Sequence, residues 1–403
     1  MNALTKIQLT LFSLILLFAA TTGNAWALTA ANTQIVNNAS LTYNDGTGTK
    51  IINATPVVVT VSLIPSAPNV TPGGPQSTSY AGAGTTLTNS FAVTATSNGP
   101  DTYNVTLPPF TSTNTSGATA TVQPASTSIT LGATVTLAGN STTVLNVPYD
   151  GQADSKVNGI TAGSSVVVGA EIPHTVQSVS ENAVTGISTI TLTTALSASP
   201  TAGVLVAERK SVLVDVTAGN ITTSGTSITV SKDITVTSTT APNPTVTSGT
   251  VTDTFTSGTA TLNKYVRNVT AVPTMTGTGT KYTYNSIDYW PSGITAKPGE
   301  VLEYILVANN SGTGSVLAAA ITDALPTTFV SLKTGAYSGG TDITYFNESN
   351  GASYLTAASG DDAAKYEAPN LTVNVGTGAT SAAGGTIAAG ATVRVLYRVT
   401  VNP

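Results

Sequence analysis

Residues 297–330 read KPGEVLEYILVANNSGTGSVLAAAITDALPTTFV, and this stretch decides the fold class. Pro298-Gly299 is a turn signal that opens an apolar run from Val301 to Ala308. Asn309 to Gly314 turns the chain, and a second apolar run follows until the breaker Asp323-Ala-Leu-Pro326. Ala391 to Val401 alternates strictly: Val393, Val395, Tyr397, Val399 and Val401 share one parity, and Arg394, Leu396, Arg398 and Thr400 the other. Successive side chains of an extended strand face opposite sides, so this pattern predicts a strand half-buried over a core. Short alternating strands punctuated by Gly, Pro and Asn turns predict a β-sandwich.

The order of these features resembles the bacterial conserved-repeat surface domain, known as domain of unknown function number eleven. The resemblance rests on Lys264-Tyr-Val, Pro298-Gly-Glu-Val-Leu-Glu-Tyr304, Asn310-Ser-Gly-Thr-Gly314, Thr322-Asp-Ala-Leu-Pro326 and Gly390-Ala-Thr-Val, and spans residues 261–403. It implies an immunoglobulin-like sandwich on a bacterial surface and no common activity, so fold transfers better than function. TSNGPDTYNV, from Thr96 to Val105, resembles the Asn-x-Gly-Pro-Asp turn of the same family.

Composition points to an exported chain. Lys6, the apolar run Leu9 to Ala20 and the small-x-small site Ala25-Trp-Ala27 read as a cleaved signal peptide, with the mature chain starting at Leu28. The run is too short for a membrane span, and no other segment is long and apolar enough for one, so no membrane span is expected in the mature chain. There is no Cys, which excludes disulfides, thiolate metal sites and thiol nucleophiles. No Leu-Pro-x-Thr-Gly motif occurs, so surface retention is expected to come from assembly or from a partner. Charged residues are only 8% of the chain, yet 40% hydrophobic residues at strand spacing argue against disorder. A net charge of −5 argues against a nucleic-acid partner. Few Lys residues leave edge strands weakly protected from edge-to-edge association.

The expected architecture is all-β: two immunoglobulin-like antiparallel β-sandwiches, a small β-barrel-like insert in the first, and an N-terminal β-strand extension. The boundaries read 1–27 for the leader, 28–65 for the N-terminal strand unit, 66–256 for the first sandwich with its insert at about 146–208, and 257–403 for the second sandwich. In the N-terminal unit, a strand near Thr33 to Tyr43 and another near Val57 to Ile64 flank the turn signal Asn44-Asp-Gly46. Pro65, Pro68, Pro72 and Pro75 suggest a stiff connection after it. Leu87, Phe91, Val93 and Ala95 mark the first strand of the first sandwich. The insert resembles small barrel-like inserts in which a strand-Ala-Gly-x-x-Val pair precedes a Thr-Ile-Thr-Leu strand.

The candidate sites are few. Two strands alone are marginal in water, so the N-terminal unit must pair with something. Ile35, Ala39, Leu41, Tyr43, Val57, Val59, Val61 and Leu63 would either complete the first sandwich of their own chain or add to a neighbouring molecule as donor strands do. Lys264, Glu303 and Asn402 are candidates for an isopeptide bond, because some pilin sandwiches join a first-strand Lys to a last-strand Asn beside a buried acid; parity alone leaves the direction of Glu303 open. Tyr282, Tyr284, Tyr289 and Trp290 read either as a loop packed on the sandwich edge or as a contact patch for a subunit or glycan. His174, the lone histidine, lacks a triad context. Asp150, Asp154, Glu171, Asp342, Asp361 and Asp362 do not follow EF-hand spacing and read as turn carboxylates, so no metal and no cofactor are expected. Asn53, Asn104, Asn268 and Asn370 lie in Asn-x-Ser/Thr sequons.

Two functions fit: a non-enzymatic subunit of an extracellular filament or surface layer, self-assembling head-to-tail, or a monomeric adhesin that binds glycan or protein through its loops or insert. An enzyme would need convergent acid/base groups that the sequence does not offer.

Overall fold

The computed structural model describes residues 29–223, 225–270, 275–348 and 351–403. The signal-peptide reading of residues 1–27 lies outside the described residues. The described chain is all-β, and no helix in it is long and apolar enough to cross a membrane.

The N-terminal unit folds on itself. Gln34–Asn37 pairs antiparallel with Val57–Thr60, and Ser40–Asn44 pairs with Thr49–Asn53, forming one β-ribbon that turns at Asp45 to Gly48. The register slips by one residue between the two ladders, from Asn37↔Val57 to Ser40↔Asn53. The extra residue falls in Ala54-Thr-Pro56, where Pro56 has no N–H to give a ladder. The expectation that these strands complete the first sandwich is therefore corrected: both ladders are two-stranded sheets. The Pro-rich connection is also more than a spacer. Asn69–Pro72 pairs with Thr86–Thr94 at a sheet edge, where a proline is tolerated.

The first sandwich is built on a nine-stranded sheet. Its main path runs Val144–Pro148, Ile187–Leu192, His174–Asn182, Ser165–Val168, Leu205–Thr217, Thr86–Thr94, Asn69–Pro72. Opposing strands include Asp101–Thr106, Ile228–Lys232, Thr235–Ser238 and Val251–Thr256. The core between them holds Phe91, Val93, Tyr103, Leu131, Val212, Val214, Ile228, Val236 and Phe255. The insert has its own core of Leu145, Val147, Ile160, Val166, Val176, Ile190 and Leu192. Its sheet is continuous with the parent sheet, because the 13-residue strand Leu205–Thr217 serves both. Val206 packs in the insert core and Val212, Val214 and Val216 in the parent core.

In the second sandwich, Ala260–Asn268, Val301–Asn310, Thr392–Val401, Ile343–Asn347 and Gly351–Leu355 form one sheet in that order. The facing sheet runs Ala364–Glu367, Asn370–Asn374, Val316–Ala324, Gly385–Ile387. Val393, Val395, Tyr397 and Val399 point into the core between them. The opposite parity is not a bare solvent face. A hairpin of Tyr282–Tyr284 and Ile287–Tyr289 covers it, and Leu396 joins Ile305, Val307 and Tyr289 in a second cluster. A strand read as half-buried is thus packed on both sides near its middle.

Candidate functional site

The ribbon presents an exposed apolar surface. Directly paired residues share a face. One face carries Ile35 beside Val59 and Leu41 beside Ile52, with Val57 and Tyr43; the other carries Val36 beside Val58, and Ile51. Every one of these side chains is exposed, up to 65% for Ile51 and 63% for Val57. The only charges between Asn32 and Val61 are Asp45 and Lys50 at the tip, which form an exposed ion pair. Ala39 lies exposed at the junction of the two ladders. Val61 and Leu63 differ from the other candidate donor residues: they are half-buried at the ribbon's base.

That base is moored to the turn TSNGPD. Asn98 is fully buried and its side chain holds both arms: Nδ2 donates to the carbonyls of Thr29 (3.0 Å) and Ser62 (3.2 Å), and Oδ1 accepts from the Ile64 amide (2.7 Å). Ala31 donates its amide to the Asn98 carbonyl and is buried beside Gly99, where an added Cβ would meet the Ala31 Cβ at 2.4 Å. Asn32 Nδ2 donates to Asn158 Oδ1 at 3.0 Å. Beyond the base, each ladder of the ribbon is a two-stranded sheet with no third strand among the described residues.

The structure separates the isopeptide candidates. In the ladder between Ala260–Asn268 and Val301–Asn310, Lys264 lies opposite Leu306 and Arg267 opposite Glu303. Lys264 therefore shares the face of Tyr304, over whose ring its Nζ sits at 4.4 Å, and it pairs with Asp323 at 2.6 Å. Asn402 Nδ2 donates to the carbonyls of Thr327 and Thr328. Glu303 leaves the other face and is buried. Its carboxylate accepts from Arg267 Nε (2.6 Å), Arg398 Nε (2.8 Å), Tyr289 Oη (2.8 Å) and Tyr337 Oη (3.0 Å). Burial works to raise its pKa, but Arg267, the Tyr289 hydrogen bond and Arg398 together hold it below the ordinary glutamate value. The expectation of a bond joining Lys264 and Asn402 beside Glu303 is corrected: even parity and odd parity put the acid and the amine on opposite faces.

Of the two readings of the aromatic cluster, the structure shows the packed loop and not an open contact patch. Tyr289 is buried over Glu303, and Tyr282 stacks on Tyr265 with centroids 5.3 Å apart. Tyr284 packs against Phe346, and Trp290 exchanges backbone hydrogen bonds with Val266. The three tyrosine side chains cover the chain's own sheet. His174 is buried and its Nδ1 lies 2.9 Å from Thr194 Oγ1. Asp342 accepts the amides of Gly335 and Ala357, Asp362 those of Thr356 and Ala364, and Asp150 that of Asn158. Among the described residues no group of three or more His, Cys, Asp or Glu side chains could hold a metal.

Sequence reasoning missed a polar cluster inside the first sandwich. Lys232, Asp253 and Asn89 are all buried, with Lys232 and Asp253 side chains wholly enclosed. Lys232 Nζ pairs with Asp253 Oδ2; Asn89 Nδ2 (3.1 Å) and the Gln76 amide (2.9 Å) donate to Asp253 Oδ1. Burial pushes the Lys232 ammonium pKa down, against the opposing pull of Asp253. Asn89 Oδ1 has no hydrogen-bond partner among the described residues. A signal was present. Asn89 shares the parity of Phe91 and Val93, Lys232 that of Ile228 and Val230, and Asp253 that of Val251 and Phe255, so each is a polar residue at an inward position of a strand.

No family model matches the chain, and no curated protein matches it. Solved structures similar to it include the C-terminal domain of the Streptococcus agalactiae AgI/II polypeptide BspA, at 8% identity and a TM-score of 0.27, covering 80% of this chain and 87% of that one. The C-terminal domain of the Streptococcus pyogenes antigen I/II-family protein AspA is similar at 9% identity and a TM-score of 0.28, covering 84% of this chain and 92% of that one.

Proposed function

We propose that this chain is a non-enzymatic structural subunit of an extracellular bacterial filament or surface layer, assembling when the N-terminal ribbon of one copy adds to the next. The observation that carries the reading is the ribbon itself, apolar and exposed on both faces and moored at its base to Asn98. A two-stranded ribbon is marginal in water, and its outer strand edges hold unpaired backbone donors and acceptors. Adding a strand edge or a sheet face from a second copy covers both deficits at once. In this reading the ribbon adds to a different part of the next copy, so the contact is head-to-tail and propagates rather than closing. The leader-like N-terminus, the absence of cysteine and the resemblance of residues 261–403 to the conserved-repeat surface domain support a place outside the cell. The test is negative-stain electron microscopy of the secreted chain beside one lacking residues 28–63. Filaments or sheets from the first and dispersed particles from the second are expected. Dispersed monomers from both would overturn the reading and leave the adhesin as the function to pursue.

A further inference from the structure

We infer that the first sandwich closes an intramolecular isopeptide bond between Lys232 Nζ and Asn89 Cγ, with Asp253 as the acid/base that drives it. The two reacting groups stand on the two oxygens of one carboxylate: the Lys232 amine on Oδ2, the Asn89 amide nitrogen on Oδ1. All three side chains are shut away from water, in a core of Phe91, Val230, Val251 and Phe255. Enclosure holds the reactants together and removes the water that would compete with them. It also favours the neutral form of the lysine, which is the nucleophile. The strands fix the arrangement. Ile228–Lys232 and Val251–Thr256 are neighbours in one sheet, and Thr86–Thr94 belongs to the opposing one.

The step balances without any added reagent. Lys232 passes one proton to Asp253, and its amine forms a bond to Asn89 Cγ. The amine's second proton moves to Asn89 Nδ2, and the Cγ–Nδ2 bond breaks. Ammonia leaves and takes the Asp253 proton with it as ammonium. One amide replaces another, and nothing is oxidised or reduced. The product ties the two sheets of the sandwich together and encloses the whole insert between its ends. The bond would hold the sandwich shut under pulling forces, independently of how copies assemble.

Mass spectrometry of the purified full chain tests this. After trypsin, the expected result is a branched peptide joining the Asn89 segment to the Lys232 segment, lighter than the sum of its parts by one ammonia, with no cleavage after Lys232. Asp253→Ala and Asn89→Ala should give only linear peptides of full mass. Separate linear Asn89 and Lys232 peptides from the wild-type chain would overturn the proposal, including an Asn89 peptide that has lost ammonia by itself. The wild-type digest decides the matter even where a variant fails to fold. A branched peptide from a folded Asp253→Ala chain would overturn the role given to Asp253.

Discussion

Lys264 and Glu303 leave the same two-strand ladder from opposite faces, because Lys264 stands opposite Leu306 and Glu303 opposite Arg267. The consequence is two separate polar sites on one sheet. Lys264 meets Asp323 at the margin of the core, whereas Glu303 organises the packing of the tyrosine hairpin over the outer face. Several outcomes rest on that separation and on the free ribbon.

Replacing Glu303 by Gln should be among the most damaging single changes in the second sandwich. It removes the charge that two arginines and two tyrosines converge on, and breaking a buried pair costs about 3–5 kcal/mol. Both arginines keep some contact with water, so the lower end of that range is expected. Chemical denaturation of the wild type and Glu303→Gln measures it.

The same group sets a pH dependence. Glu303 has a folded pKa below its ordinary value of about 4.3. Its stabilisation is therefore complete above that value and is lost as pH falls through the lower, folded pKa. Thermal melts from neutral to acid pH should show the wild type losing this stability as pH falls below about 4.3. Glu303→Gln should lose less over the same interval; equal slopes in the two proteins would rule the linkage out.

Tyr289→Phe keeps the ring and deletes one donor to Glu303. A hydrogen bond to a charged group contributes about 1.5–3 kcal/mol, so a loss of that order is expected. Fluorescence-monitored unfolding reads it, and an unchanged midpoint would show that the hydroxyl is dispensable.

Asn98→Ala should loosen the ribbon without unfolding the sandwich. It removes the side-chain hydrogen bonds to Thr29, Ser62 and Ile64, residues that face water, at about 0.5–1.5 kcal/mol for each bond lost. Hydrogen exchange should accelerate at Ile64 while the amides of Val212 and Val214 keep their protection. Gly99→Ala should act in the same direction, since its Cβ collides with Ala31.

Ile51→Lys with Val58→Lys places charge on one exposed ribbon face. Both positions face water in the single chain, so the melting midpoint should hold within about 0.5 kcal/mol equivalent. Sedimentation should nevertheless show loss of higher-order species. Undiminished assembly would remove that face from the contact.

Much of the fold was legible because one face of each sheet meets a core, and a period of two then marks the strand. Thr392–Val401 shows it, whereas in the ribbon, exposed on both faces, the turn Asn44-Asp-Gly46 is what announces a hairpin. Asn69–Pro72 was obscured by its prolines, which look like a spacer unless the strand is known to lie at an edge. The inward direction of Glu303 was not legible either. Both parities of Val301–Asn310 are apolar, and only the hairpin over the outer face makes that side an interior.

The all-β class, the strand and turn spacing and the scarcity of charge can be read without coordinates, since they depend on local alternation and on composition alone. Which strands become neighbours is a matter of long-range packing. Asn89, Lys232 and Asp253 are single polar residues on three separate strands, and each alone is an unexplained cost of burial. They become one site because the two sheets face each other and close a dry space around a shared carboxylate, a contact that no local pattern encodes.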